Sequence, residues 1–201
     1  MARTREFDDE VLRSASRELF WSNGFANTSV GDISAATKVG NGSIYAAYGS
    51  KFDLFFTILE SYCRTRIDTV ASAMSVGRTA EESIREFFDV IVADCAGQVD
   101  RRGCLMLNSI AEFGGRDDRV MALCRTTTDT MEQRVAERIQ AAIASNEIDA
   151  VDIDMLAAQI ILVSQGLIQM SRLGTSREKL AAVADSYIET LPLNPSALAP
   201  G

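Results

Sequence analysis

The three prolines of this 201-residue chain, Pro192, Pro195 and Pro200, all lie in its last ten residues. Proline breaks the interior of a helix because it lacks a backbone N–H and clashes with the preceding turn. Everything before Pro192 can therefore form long, uninterrupted helices. The composition is rich in Ala, Leu, Glu, Arg and Met, which are good helix formers. We therefore predict an all-α fold.

Capping and termination signals divide the chain into about nine helices. Side chains that cap helix N-termini precede apolar residues at helical spacing, and glycines follow them. No segment shows the sustained alternation of a strand. We predict helices over about 9–23, 29–37, 40–47, 51–76, 79–100, 104–113, 117–145 and 152–173, with a last helix opening at Thr175 and ending before Pro192.

The absence of histidine excludes several kinds of site. His-containing zinc sites, His-dependent catalytic triads and His-ligated haem all need that residue, and the four cysteines have no tight spacing. We therefore expect no catalytic residue, no metal and no cofactor. Residues 1–10 are charged, unlike a signal peptide, and unbroken aliphatic runs such as 160–163 are too short to span a bilayer. A reduced, cytoplasmic protein with no membrane partner is expected.

The negative charge is concentrated in the C-terminal part of the chain. A net charge of −8 argues at first against a nucleic-acid partner. Residues 1–54 have six basic and seven acidic side chains, a net of −1, whereas residues 55–201 have a net of −7. The N-terminal part can therefore approach DNA if its positive side chains face one way.

Residues 28–48 combine two short helices with a tight turn. Ser29 and Asp32 have the spacing of a capping box, and a second helix runs from about Gly40 to Ala47. This is the plan of a helix-turn-helix, in which the first turn of the second helix reaches base edges in the major groove. Helix pairs of this kind also occur in other all-α proteins, so the pattern alone leaves that alternative open.

Small and polar residues at the start of the second helix suit close approach to DNA. Asn41 can pair bidentately with adenine, and the phenol of Tyr45 suits a phosphate at the groove wall. Lys51 begins the next helix, whose free N–H groups can help to bind a phosphate. Thr28 and Ser29 are predicted to bind a phosphate at the other wall of the groove. The predicted DNA-binding residues are Thr28, Ser29, Asn41, Gly42, Ser43, Tyr45 and Lys51.

The runs 20–33 and 42–55 resemble the N-terminal domain of the TetR/AcrR family of regulators, as do Arg3 and Arg5 before the first helix. The resemblance implies a homodimeric repressor that binds palindromic half-sites of double-stranded operator DNA and is released by a small-molecule inducer. It implies a DNA-binding domain over 1–50 and a ligand-binding and dimerisation domain over 51–192. The Pro- and Ala-rich tail, 193–201, is expected to be disordered. The recognition helix has no Arg or Lys, and Ala47 stands where relatives often have His.

The last two helices carry apolar residues at helical spacing. A helix that is apolar on more than one face needs partners on more than one side, which predicts a four-helix interface with a symmetry mate. Burial within one protomer is the alternative. The predicted interface residues are Leu156, Ile160, Leu167, Leu180, Ala184, Tyr187 and Ile188.

A ligand pocket is expected among the helices between residues 51 and 173. Met and Phe also fill cores routinely, so ordinary packing is the alternative for each candidate. The candidate lining residues are Phe87, Phe88, Met106, Phe113, Met121, Met131 and Gln165.

Cys104 is a candidate redox sensor. It follows Arg101 and Arg102 at a predicted helix start, which favours the thiolate, and residues 103–108 with Glu112 resemble a segment of one branch of the family. A small buried cysteine is the alternative. An enzyme with Cys104 as nucleophile lacks a histidine base, and a helical ligand-binding protein without DNA binding is a further alternative.

Overall fold

A computed structural model describes residues 7–77, 79–98 and 100–194, and over these ranges the chain forms nine helices and no strand. This confirms the all-α fold. Arg3, Arg5 and the predicted tail from residue 195 on lie outside the described residues. The helices are α1 (Asp9–Asn23), α2 (Val30–Thr37), α3 (Asn41–Tyr48), α4 (Lys51–Ser75), α5 (Ala80–Gly97), α6 (Leu105–Phe113), α7 (Asp118–Ala144), α8 (Ile153–Arg172) and α9 (Arg177–Ile188).

Side-chain caps fix the starts of several helices. The Asp8 carboxylate accepts N–H groups of the first turn of α1. Ser29 and Thr79 each form a capping box with the acidic residue three positions on, as their spacing predicts. The cap of α9 is Ser176, one residue after the predicted Thr175.

The helices divide into two compact units, and the first unit is discontinuous in sequence. It comprises Met1–Cys63 and Cys104–Leu123, whereas the second comprises Arg64–Gly103 and Cys124–Gly201. Helix α6 therefore belongs with α1–α3, and the long helices α4 and α7 contribute residues to both units. The expected boundary at residue 50 cuts through the first unit, because sequence order does not reveal the contacts that α6 makes.

An aromatic cluster forms the core of the first unit. The ring centroid of Phe25 lies 5.1 Å from that of Phe55 and 5.2 Å from that of Phe113. Phe20 packs edge-on against Phe55 at 5.3 Å, a favoured geometry for aromatic pairs. Because these residues come from α1, the α1–α2 loop, α4 and α6, the cluster joins four segments of the chain.

Aliphatic helix packing and a mostly buried ion pair stabilise the second unit. Helices α5, α8 and α9 pack against one another. The Arg138 guanidinium lies 3.0 Å from the Glu147 carboxylate, with both side chains mostly buried. Leu193 forms an isolated bridge with Ile148, and the Asn194 N–H donates to the Glu147 carbonyl. Ordered structure therefore extends two residues into the segment expected to be a disordered tail.

Among the described helices, α8 alone is long and apolar enough to cross a membrane. The core helix of a soluble protein can satisfy the same criteria, and 39% of its most apolar window is buried within the protein. One such helix is weak evidence for a membrane-spanning role. The sequence interpretation missed it because it considered only unbroken aliphatic runs.

Candidate nucleic-acid interface

Helices α2 and α3 are short, adjacent and joined by a tight turn. Lys38 closes α2 in the left-handed conformation, with φ of 60°. Val30, Ile33 and Ile44 are buried and anchor the two helices in the first unit. Helix α3 begins at Asn41, one residue later than predicted.

The first turn of α3 presents a small and polar surface to solvent. Asn41, Gly42 and Ser43 are exposed, and Tyr45 on the same helix is 49% exposed. A Cβ placed on Gly42 would meet nothing within 4 Å, so the space beside the helix is open. Four of the predicted contact residues therefore share one accessible helix. This arrangement defines a helix-turn-helix protein.

Thr28 is buried and cannot present its hydroxyl to DNA. Its side chain is 1% exposed, and its hydroxyl donates to the Gly24 carbonyl at 2.8 Å. Its N–H donates to the Phe25 carbonyl. The predicted phosphate contact is therefore wrong for Thr28, because a threonine at this loop position satisfies the local backbone instead.

Ser29 is exposed, but Asp32 occupies both of its donors. The Ser29 hydroxyl and N–H donate to the same Asp32 carboxylate oxygen at 2.7 and 2.8 Å. The hydrogen bond from the Ser29 hydroxyl and, to a smaller extent, the one from the Ser29 N–H lower the pKa of Asp32 and favour its anionic form. The predicted phosphate contact of Ser29 is corrected, since its donors already bind an anion.

Lys51 holds the α1–α2 loop. Its Nζ donates to the carbonyls of Phe25 at 2.8 Å and Thr28 at 2.9 Å. The ammonium also lies 4.0 Å from the centroid of the Phe25 ring, within cation–π range. Two of the three donors of an ammonium group are thus used inside the protein. Lys51 therefore has a structural role that the sequence did not reveal, and its phosphate contact stays a prediction.

Glu112 on α6 is a residue whose role sequence reasoning missed. Its two carboxylate oxygens accept the N–H groups of Phe25 at 2.9 Å and Ala26 at 2.7 Å. A signal for it exists in the sequence. An acidic residue in the last turn of a helix is unfavourable next to the negative end of the helix dipole, and such a position suggests a tertiary partner.

Cys104 is buried at the start of α6. It is 5% exposed, and its Sγ accepts the Tyr62 hydroxyl at 3.4 Å. The Tyr62 ring packs edge-on against Trp21 at 5.1 Å. Reactive cysteines are partly exposed, so this environment supports the packing alternative rather than a sensor.

The predicted pocket residues are divided between the two units. Met106, Phe113 and Met121 fall in the first unit, and the other four fall in the second. The structure describes two cavities in the second unit, of about 450 Å³ between α4 and α7 and about 250 Å³ beside α8. Neither cavity is lined by any of the predicted residues Phe87, Phe88, Met106, Phe113, Met121, Met131 and Gln165.

Six of the seven predicted dimer residues are buried in the core of their own protomer, which corrects the prediction for those six. The reason is that the strongest apolar stripe of an amphipathic helix packs against its own unit. The buried residues are Leu156, Ile160, Leu167, Leu180, Ala184 and Ile188. Tyr187 is half-buried against Phe88, and burial raises its pKa. Exposed apolar side chains instead include Met155, Leu162 and Val183.

Comparisons with known proteins agree with the helix-turn-helix geometry. The family model for bacterial regulatory proteins of the tetR family matches residues 12–58. The model for the tetracyclin repressor-like C-terminal domain matches residues 80–187, more than half of the chain. The chain belongs to the TetR family.

Individual relatives extend over nearly the whole chain. The HTH-type transcriptional repressor ComR of Escherichia coli K12 is 25% identical over 94% of this chain and 91% of its own length. The repressor BdcR of the same strain is 28% identical, covering 94% of this chain and 93% of its own length. A cysteine mutant of the TetR family regulator CifR, solved with 26bp double-strand operator DNA, has a TM-score of 0.83 and 25% identity, covering 95% of this chain and all of that one.

Proposed function

We propose that this protein is a homodimeric repressor that binds palindromic operator DNA through α2 and α3 and is released by a small-molecule inducer. The exposed first turn of α3, with Asn41, Gly42 and Ser43 beside open space, is the observation that carries the proposal. Family membership supports it, as do the repressor names of two relatives and the operator complex of CifR.

Base reading then depends on few groups. Asn41 supplies the bidentate donor and acceptor pair, Ser43 a hydroxyl, and Tyr45 a phenol for the sugar–phosphate backbone. Helix α3 has no cation, and Lys51 is engaged with the α1–α2 loop. Because each phosphate contact by a cation releases a counterion, we expect a shallow salt dependence for a protein of this size.

The test begins with selection of an operator from random double-stranded DNA, followed by anisotropy titrations at several salt concentrations. Loss of a bidentate base contact costs about 1–3 kcal/mol, so Asn41→Ala should weaken operator binding by about tenfold to a hundredfold. Glu60→Gln changes an exposed side chain of α4 and serves as the control. Failure of the wild-type protein to prefer any sequence, or normal binding by Asn41→Ala, would contradict the proposal.

The homodimer forms, in this proposal, through the exposed apolar side chains of α8 and α9. Leu162 is 67% exposed and Met155 is 57% exposed, while Val183 of α9 is 42% exposed. A twofold dimer doubles the DNA contacts and sets the half-site spacing. Leu162→Glu should yield monomers in sedimentation experiments, whereas Gln140→Glu on α7 should not. A wild-type monomer at micromolar concentration would refute the dimer.

The inducer binds, in this proposal, in the second unit. The cavity of about 450 Å³ has the size of a small-molecule site and combines apolar Ile67 and Met74 with charged Asp68, Arg134 and Arg138. A ligand that binds the folded state raises the unfolding midpoint. Thermal-shift screening of small amphiphiles should find such ligands, and Met74→Trp should abolish the shift by filling the cavity. Equal shifts in the variant would place the inducer elsewhere.

A further inference from the structure

Glu112 and Lys51 both bind the backbone of the loop between α1 and α2. Glu112 accepts the N–H groups of Phe25 and Ala26, and Lys51 donates to the carbonyls of Phe25 and Thr28. The Phe25 ring packs against Phe55 and Phe113 and lies beside the Lys51 ammonium. Phe25 is therefore fixed through its amide, its carbonyl and its ring at once.

This loop determines where α2 and α3 lie. It leads directly into Ser29, the N-cap of α2, and α2 packs against both α1 and α3. A displacement of the loop therefore moves the exposed first turn of α3. Binding constellations need their parts held to within about 0.5 Å of the productive geometry, so a small displacement is enough to weaken recognition.

Glu112 is tightly fitted to the loop. Gly24 has φ of 82°, and a Cβ at that position would lie 3.2 Å from a Glu112 carboxylate oxygen. The carboxylate also sits in the last turn of α6, where the helix dipole disfavours it. Two hydrogen bonds to an ionised acceptor are strong enough to offset that cost.

We propose that Glu112 is a positioning residue for DNA binding, which fixes the α1–α2 loop to α6 and so holds the helix-turn-helix in its reading orientation. The inference rests on the proposed function. Positioning and simple electrostatics predict opposite changes in DNA affinity when Glu112 loses its charge. Removing a negative charge from a DNA-binding unit should tighten binding to phosphates, whereas loss of positioning weakens it.

The experiment compares Glu112→Gln, Glu112→Asp and the control Glu60→Gln in operator titrations. Glu112→Gln loses the charge, and Glu112→Asp keeps the charge but is too short to reach both N–H groups. Each should weaken operator binding by about tenfold, equivalent to one charge-assisted hydrogen bond, with an unchanged salt slope. The control should bind as the wild type does, or slightly more tightly. Wild-type or tighter binding by Glu112→Gln would overturn the proposal.

Two further measurements separate positioning from loss of folding. Urea unfolding gives the folded fraction of each variant, and an affinity loss that disappears after correction for that fraction would overturn the proposal. Hydrogen exchange of the Phe25 and Ala26 amides should be slow in the wild type and fast in Glu112→Gln without DNA. Equal exchange rates would show that Glu112 does not protect these two amides, and would refute the proposal. Protection by Glu112 in a wild-type protein that binds no operator would contradict only the proposed function.

Discussion

The two units of this protein use charged and apolar side chains in opposite ways. In the first unit, the charges of Lys51 and Glu112 are directed inward to the backbone of the α1–α2 loop. In the second unit, Leu162 and Met155 are directed outward, away from the core. The usual expectation assigns charges to DNA and apolar residues to the core. The difference shows that the type of a residue predicts what kind of interaction it makes, but not which group it contacts.

The reason lies in what each unit has to hold in place. A unit that reads DNA needs its loops fixed to fractions of an ångström, and a charged group bound to backbone amides or carbonyls provides direction as well as strength. An apolar side chain provides neither direction nor specificity, but its burial drives association. Directed charged contacts therefore fix the α1–α2 loop in the first unit, and the exposed apolar side chains of the second unit suit the proposed dimer.

The largest expected effect contrasts two neighbouring residues of α8. Ile160 is fully buried, so Ile160→Ala should lower the free energy of unfolding by about 2–5 kcal/mol at any protein concentration. Leu162→Ala leaves the core intact and should act only by weakening the proposed dimer, so its loss of stability should shrink as protein concentration falls and vanish where the wild type is also monomeric. Urea titrations at two protein concentrations measure both. Concentration-independent loss in both variants would remove the distinction between the two faces.

A smaller effect is expected from the loop ammonium. Lys51→Met removes two hydrogen bonds from a charged donor and should lower the free energy of unfolding by about 2 kcal/mol. Lys38→Met, at the exposed cap of α2, should change it by less than about 0.5 kcal/mol. Denaturant unfolding of both variants measures the contrast. Equal and small effects on stability would favour the alternative interpretation, in which Lys51 contacts DNA.

The buried hydroxyl of Thr28 should matter less. Thr28→Val keeps the shape of the side chain but leaves the Gly24 carbonyl without this donor, which costs about 1 kcal/mol of stability. The affinity of the folded variant for the operator should not change, because no DNA contact is lost. Ser43→Ala, on the exposed start of α3, should show the reverse pattern of intact stability and weaker binding. Weaker operator binding by folded Thr28→Val would contradict the correction made for this residue.

The smallest expected effect is a loss of folding stability at acidic pH, which depends on Glu147 in the second unit. Burial raises the pKa of Glu147, but hydrogen bonds from Ser145, the Ala80 N–H and Arg138 outweigh it and lower the pKa overall. A lowered pKa stabilises the folded state above the unfolded-state pKa, and this contribution is lost as the pH falls through the folded-state pKa. Unfolding titrations across acidic pH should show this loss in the wild type and in Glu60→Gln, but less of it in Glu147→Gln. Parallel curves for all three would contradict it.

Local features were predictable from the sequence, and features that depend on distant contacts were not. The caps at Ser29 and Thr79 depend on residues within one turn, and their spacing to the acidic residue three positions on predicted both. The absence of internal proline predicted the all-α fold. The exposed start of α3 was also predictable, because small residues followed by a buried Ile44 define its two faces.

The errors came from interactions across the fold. Thr28 and Lys51 lie near the helix-turn-helix in sequence, but both are held by the loop that begins after α1. Glu112 lies 87 residues from its partner Phe25, a separation at which no periodicity applies. On α8, apolar spacing predicted an interface but did not reveal which of two stripes faces inward, and the stronger stripe, with Ile160, packs in the core.

The discontinuous first unit has a consequence for building chimeric regulators. A DNA-reading head taken as residues 1–63 alone would lose the Glu112 carboxylate and the Phe113 ring, which come from Cys104–Leu123. An exchange of specificity between two such proteins therefore needs two segments transplanted together, or a recipient whose sixth helix already carries an acid and an aromatic ring in its last turn. The part that can be transferred is therefore defined by its contacts, and no single continuous segment of the sequence contains all of them.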